Sequence, residues 1–198
     1  MKRASTKFWR PASAIIAALL ALAGALAAAQ DAAKAPPRRN EISLARLRPG
    51  EDLLTDAIMR YGPRHRRAVP EGDDIVAWVD AQRKIVLRLE LDDDGKILSI
   101  TLASIDPLLK DAAGTTTRLP ARGLSTGRGL ALGDAKSRVL QLYGPPGNAG
   151  PSTMEGRELE LMFYAFDWAG PEVPQVMEVT CERATGRVVK ITLAYPSL

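Results

Sequence analysis

The run Glu90-Leu91-Asp92-Asp93-Asp94-Gly95 places carboxylates at alternate positions before a glycine, which is how a calcium-binding loop begins. Its twelfth position is Thr101 rather than a glutamate, its flanks alternate like strands, and the comparable turn Ala184-Thr185-Gly186-Arg187 carries no acid. The pattern therefore reads as a solvated hairpin turn, and no metal is expected. A second cluster, Arg60, Arg64, Arg66 and Arg67 around His65, follows a predicted helix. Guanidinium groups match oxyanions well, so Arg64, Arg66 and Arg67 are candidates for a clamp on a phosphate, an acidic glycan or an acidic partner. The competing reading is compensation of a helix C-terminus in a solvated loop. His65 is the only histidine, which rules out a multi-histidine metal site, and a lone histidine among arginines reads as a surface residue rather than a catalyst. Glu158 and Glu160 share a strand face with nothing that marks them as a hydrolytic pair. The glycines between 123 and 133 are not followed by Gly-Lys-Ser/Thr and do not form a phosphate loop. Cys181, the one cysteine, alternates with Met177 and Val179 and reads as a buried, inert thiol. No catalytic residue and no cofactor is assigned, and the chain is expected not to be an enzyme.

Aromatic residues offer a better candidate. In the run from Leu159 to Trp168, alternation puts Leu159, Leu161 and Phe163 on one side and Met162, Tyr164, Phe166 and Trp168 on the other. Trp78 is likewise out of phase with Ile75, Ala77 and Val79. If helices cover the aliphatic side, Trp78, Tyr164, Phe166 and Trp168 line an open sheet face suited to binding a protein or cell-envelope partner. A bulge that flips the phase, or a seam between two halves of the molecule, would bury them instead.

Charge narrows the partner class. Lys and Arg total 27 against 23 acids, but Lys2, Arg3, Lys7 and Arg10 account for the whole surplus. The remainder is formally neutral, which removes the electrostatic argument for nucleic-acid binding. Those four cations precede an apolar run from Ala12 to Ala29 that ends in Ala27-Ala28-Ala29, the layout of a secretory signal peptide over residues 1–29. An uncleaved anchor helix is the alternative. The mature chain is expected in the periplasm or outside the cell, meeting the membrane only through that leader. A lone cysteine excludes an internal disulfide, so a hydrophobic core must stabilise the fold.

Residues 30–40, with Pro36, Pro37, Arg38 and Arg39, read as a flexible spacer. The remainder is self-similar. Leu54, Ala57, Ile58 and Tyr61 form one helical stripe, matched by Val139, Leu140 and Tyr143, and Gly62-Pro63 and Gly144-Pro145 stop the two helices. Strand pairs follow in each case, at Ile85–Leu91 with Ile97–Ala103 and at Gln175–Cys181 with Val188–Ala194. The last strands share Ile-Thr-Leu-Ala, at 100–103 and 191–194. A further strand precedes each pair. The expected fold is α+β: two tandem helix-plus-antiparallel-meander repeats, 41–104 and 124–198, packed as one body with helices on one face of the sheet and joined by a connector, 105–123.

Gly50, Glu51, Gly62 and Pro63, with Gly133, Asp134, Gly144 and Pro145, make a pattern that resembles the small α+β module of β-lactamase-inhibitory proteins and of the SmpA/OmlA outer-membrane assembly lipoproteins. The tandem arrangement is more similar to the inhibitors. The resemblance implies a fold rather than functional residues, because the chain lacks the lipid-bearing cysteine of one family and the disulfides of the other. The functional expectation is a secreted or periplasmic, non-enzymatic binding protein. The alternative is a structural envelope component held on anionic surface polymer by the Arg64 to Arg67 patch.

Overall fold

The computed structural model describes residues 40–63, 66–68, 74–110, 117–166 and 175–195. The leader and nearly all of the spacer inferred from the sequence lie outside these residues, as do Arg64, His65 and Trp168. Among the described residues no helix is long and apolar enough to cross a membrane.

Eight strands make one antiparallel sheet: β1 (Arg66–Ala68), β2 (Asp74–Asp80), β3 (Ile85–Leu91), β4 (Ile97–Ala103), β5 (Asn148–Met154), β6 (Arg157–Phe166), β7 (Gln175–Glu182) and β8 (Val188–Ala194), in the spatial order β1-β2-β3-β4-β8-β7-β6-β5. Among the described residues helix is limited to α1 (Leu54–Tyr61), α2 (Lys136–Tyr143) and a 3-10 turn, Pro107–Leu109. This corrects the expected architecture of two tandem helix-plus-meander repeats. The Ile-Thr-Leu-Ala strands that suggested a tandem repeat pair with each other, Ile100 opposite Leu193 and Leu102 opposite Ile191. Each strand satisfies the backbone edge that the other would leave bare, so the sheet runs on without a boundary. At eight residues each, α1 and α2 are only about 12 Å long and form no helical layer of their own.

Both helices pack on the same face. Ala57 and Tyr61 of α1 and Val139 and Tyr143 of α2 share one core with Trp78, Leu87, Leu89, Ile100, Leu102, Tyr164, Phe166, Met177, Val179, Ile191 and Leu193. The helices stop where glycine and proline indicate: Gly62 (φ 86°) and Gly144 (φ 76°) take the left-handed conformation that follows a helix end. Asp134, although it stands just before α2, does not cap it. Its Oδ2 accepts from the Ala131 N–H at 2.9 Å and closes the preceding turn, leaving Ala135 at the cap position.

An N-terminal strap completes this layer. Leu44 and Leu47 are fully buried in the core. The Glu41 carboxylate, 2% exposed, accepts from the N–H groups of Ile42 (2.9 Å), Ser43 (3.1 Å), Gly127 (3.0 Å) and Arg128 (3.0 Å) and from the Tyr143 hydroxyl (2.7 Å). Five donors compensate the desolvation of this carboxylate. The Tyr61 hydroxyl donates to the Ala45 carbonyl, so the last tyrosine of each helix fastens the same strap. Burial pushes both phenols above their usual range, Tyr61 to about 12.

On the opposite face, the segment after β4 crosses one end of the sheet. Leu108 and Leu109 pack on Ala77, Val79 and Val86, and Ile105 joins Leu159 and Val189. Asp106 caps the 3-10 turn through the Leu108 N–H at 2.9 Å, as the Asp-Pro pair indicates. Further along, Leu119 N–H donates to Asp80 Oδ2 at 3.1 Å, and Arg83 reaches the same carboxylate through its backbone N–H (3.1 Å) and Nε (2.9 Å). Burial alone would raise the Asp80 pKa. The Arg83 hydrogen bonds, the Leu119 N–H and the Arg83 charge outweigh it and hold the carboxyl below its ordinary value.

A lowered pKa in the folded state makes the Asp80 contribution complete above the unfolded-state value of ~4 and lost as pH falls through the folded one. Asp80→Asn is expected to cost about 1–3 kcal/mol near pH 7. In urea denaturation the gap from the parent should narrow steadily as pH is taken below ~4.

Candidate binding surface

The aromatic residues show which face of the sheet the helices cover. Trp78 and Tyr164 are fully buried and Phe166 is 1% exposed, all three in the core beneath the helices. Trp78 Nε1–H donates to the Gly62 carbonyl at 2.9 Å, and the Tyr164 hydroxyl donates to the Gly144 carbonyl at 3.1 Å. Each aromatic thus satisfies an end carbonyl of the helix above it. Tyr61 packs on Trp78 with ring centroids 5.7 Å apart, and Tyr143 lies 5.8 Å from Tyr164 and 6.2 Å from Phe166. The expectation of an open face made by Trp78, Tyr164 and Phe166 is therefore corrected. The helices cover the aromatic side of β2 and β6 rather than the aliphatic side, because only there do the indole and phenol groups meet a carbonyl.

The residues assigned to the core on alternation instead point away from the helices. Leu161, Phe163 and Ala165 of β6, with Val176 of β7, are half-buried on the opposite face, Ala165 directly across from Val176. Register extends this patch into a polar row: Phe163 faces Glu178, Glu178 faces Thr192, Thr192 faces Thr101, and Thr101 faces Arg88. At about 4.8 Å per strand the row spans roughly 20 Å. The Thr101 and Thr192 hydroxyls are hydrogen-bonded at 3.0 Å across its middle.

Arg88 ends the row with much of its donor capacity unused. Its closest carboxylates, Glu90 and Asp106, are each 3.9 Å away, and its buried Nε has no hydrogen-bond partner among the described residues. A guanidinium carries five donors, and at Arg88 the buried Nε–H is one that the described residues leave unmet.

The sheet edges are less suited to recognition. Pro151 sits in the middle of β5 on one edge, and a strand proline places its donorless nitrogen away from the ladder. The other edge strand, β1, has three residues. A short strand and a proline are both ways of blunting an edge against strand addition. Arg66 and Arg67 lie on β1, opposite Ala77 and Val76, and not in the solvated loop considered above.

The remaining sequence candidates have structural duties. Glu160 forms a two-pronged ion pair with Lys136 Nζ at 2.7 and 2.8 Å, tying β6 to the start of α2. Asp92 Oδ1 accepts from the N–H groups of Asp94 (3.1 Å) and Lys96 (2.8 Å) and closes the β3–β4 turn. Cys181 is buried. That burial, assisted by Glu160 and opposed by Lys136, pushes its thiol up to about 11, so the nucleophilic thiolate is scarce at neutral pH.

No protein-family model and no curated protein matches the sequence. Among solved structures the chain is similar to the crystal structure of a DUF4309 family protein, YjgB, from Bacillus subtilis subsp. subtilis str. 168, with 15% identity and a TM-score of 0.43 over 79% of this chain and 88% of that one. A likeness of that degree bears on neither site nor activity.

Trp78→Phe and Tyr164→Phe each remove one hydrogen bond to a helix-end carbonyl while retaining an aromatic ring. Each should lower stability by about 0.5–1.5 kcal/mol in chemical denaturation. An unchanged midpoint for both would mean that the helix ends do not depend on these donors.

Proposed function

We propose that the protein is a non-enzymatic binding protein of the periplasm or extracellular space, and that it captures a protein or envelope partner on the sheet face opposite the helices. One observation carries this reading. Both helices and the N-terminal strap join the core of a single sheet face, while Leu161, Phe163, Ala165 and Val176 remain partly exposed on the other, beside a row of hydroxyl and charged groups. Such a face combines an apolar contact area with polar groups at its margin, the composition from which interfaces are built. The rigid ladder beneath it fixes side-chain positions before binding, which lowers the ordering cost of association. The leader-like segment at residues 1–29 supports an exported location.

Affinity capture from native periplasm or culture fluid tests the proposal. Phe163→Thr keeps a strand-favouring residue and removes the largest exposed apolar group of the patch. The expected result is a loss of captured partner of about tenfold or more, corresponding to ~1.4 kcal/mol, with little change in melting temperature. Undiminished capture would remove this face as the binding site. Loss of capture in step with loss of folding would assign Phe163 to stability instead.

A further inference from the structure

A cleft of about 360 Å³ lies at the end of the sheet where three chain segments meet: the β2–β3 turn, the stretch following β4, and the β5–β6 turn. Each segment contributes a cation, Lys84, Lys110 and Arg157 respectively, and Asp106 and Glu155 contribute the acids. We propose that this cleft binds a small organic carboxylate with a short apolar body, independently of the partner face described above.

The charges define the ligand class. Glu155 is ion-paired with Lys110, and Arg157 lies 3.4 Å from Glu182. Asp106 spends one oxygen on the Leu108 N–H and turns the other toward Arg88. Lys84 has neither an ion pair nor a hydrogen bond from its ammonium among the described residues. Among the described residues the lining thus carries one positive charge in excess, on an ammonium without a partner among them. One excess charge suits a monoanion such as a carboxylate, whereas a phosphate monoester approaches −2 at neutral pH and would meet two carboxylates. Ile105 and Leu109 supply apolar surface for the rest of the ligand. A few oriented polar groups beside an apolar wall are the usual make-up of a small-molecule site.

Backbone conformation singles out the same residues. Lys84 (φ 53°) and Glu155 (φ 52°) occupy the left-handed region, two of four non-glycine residues that do so among those described. The β3–β4 and β7–β8 hairpins place Gly95 (φ 76°) and Gly186 (φ 64°) in that conformation. A side chain there costs roughly 1–2 kcal/mol relative to glycine. At both turns bordering the cleft a charged side chain stands where glycine would relieve the backbone.

Lys84→Gly separates folding from binding, because it removes the ammonium and the strain together. Benzoate is the probe, followed by amide chemical shifts in the labelled full chain, with benzyl alcohol and phenyl phosphate as comparisons. The expected result is saturable benzoate-induced shifts at Lys84, Ile105, Leu109 and Arg157. Lys84→Gly should weaken benzoate about threefold or more and at the same time raise the melting temperature. Absence of saturation, equal affinity in the variant, or equal affinity for benzyl alcohol would overturn the proposal. Tighter binding of phenyl phosphate than of benzoate would overturn the monoanion assignment.

Discussion

The pairing of β4 with β8 is the constraint on which the rest of the structure depends. Five residue pairs, from Ser99 opposite Ala194 to Ala103 opposite Lys190, join the strands before the connector to those after it. Because side chains alternate with a period of two, this register also sets which faces become continuous. Ile100 and Leu102 fall on the same side as Leu193 and Ile191, so the apolar residues near both helices merge into one core. Thr101 and Thr192 fall on the other side, where their hydroxyls meet. A slip of one residue would put the hydroxyls into the core and the isoleucines into the polar row.

With the seam in place, stability is concentrated on one face. The strap, α1 and α2 close over the core, and the ends of the helices are tied down by groups from other elements: the strap receives the Tyr61 and Tyr143 hydroxyls, while β2 and β6 send Trp78 and Tyr164 to the end carbonyls. The opposite face is covered at one end by the segment holding Ile105, Leu108 and Leu109. Elsewhere that face carries the buried Thr101 and Thr180 beside the half-buried Leu161, Phe163, Ala165 and Val176.

Much of the local structure was legible in the sequence. Gly62-Pro63 and Gly144-Pro145 end the helices because a left-handed residue followed by proline cannot continue one, and the turns at Asp92 to Lys96 and Arg183 to Arg187 close hairpins where glycine is available. Strand phase was not legible in β6. Leu159, Leu161 and Phe163 are as apolar as Met162, Tyr164 and Phe166, so alternation cannot tell which set faces the helices. The choice is made by the reach of the Tyr164 hydroxyl to Gly144, a tertiary contact absent from any local pattern. The shared Ile-Thr-Leu-Ala sequence misled for a related reason: it marks two strands that pair at the middle of one sheet, not the ends of two helix-plus-meander repeats. Glu41 gave no signal, since its burial depends on amide donors more than eighty residues away. Lys84 and Glu155 were equally silent, because a left-handed backbone at a non-glycine residue follows from the closed turn.

Native-state hydrogen exchange across the β4–β8 seam tests the central claim most directly. If the chain is one sheet with one core, the slowest amides of Ile100 and Leu102 in β4 and of Ile191 and Leu193 in β8 will open with a single free energy, equal to that of global unfolding and equally sensitive to denaturant. Two separate openings, with the amides before the connector exchanging through one and those after it through another, would contradict it.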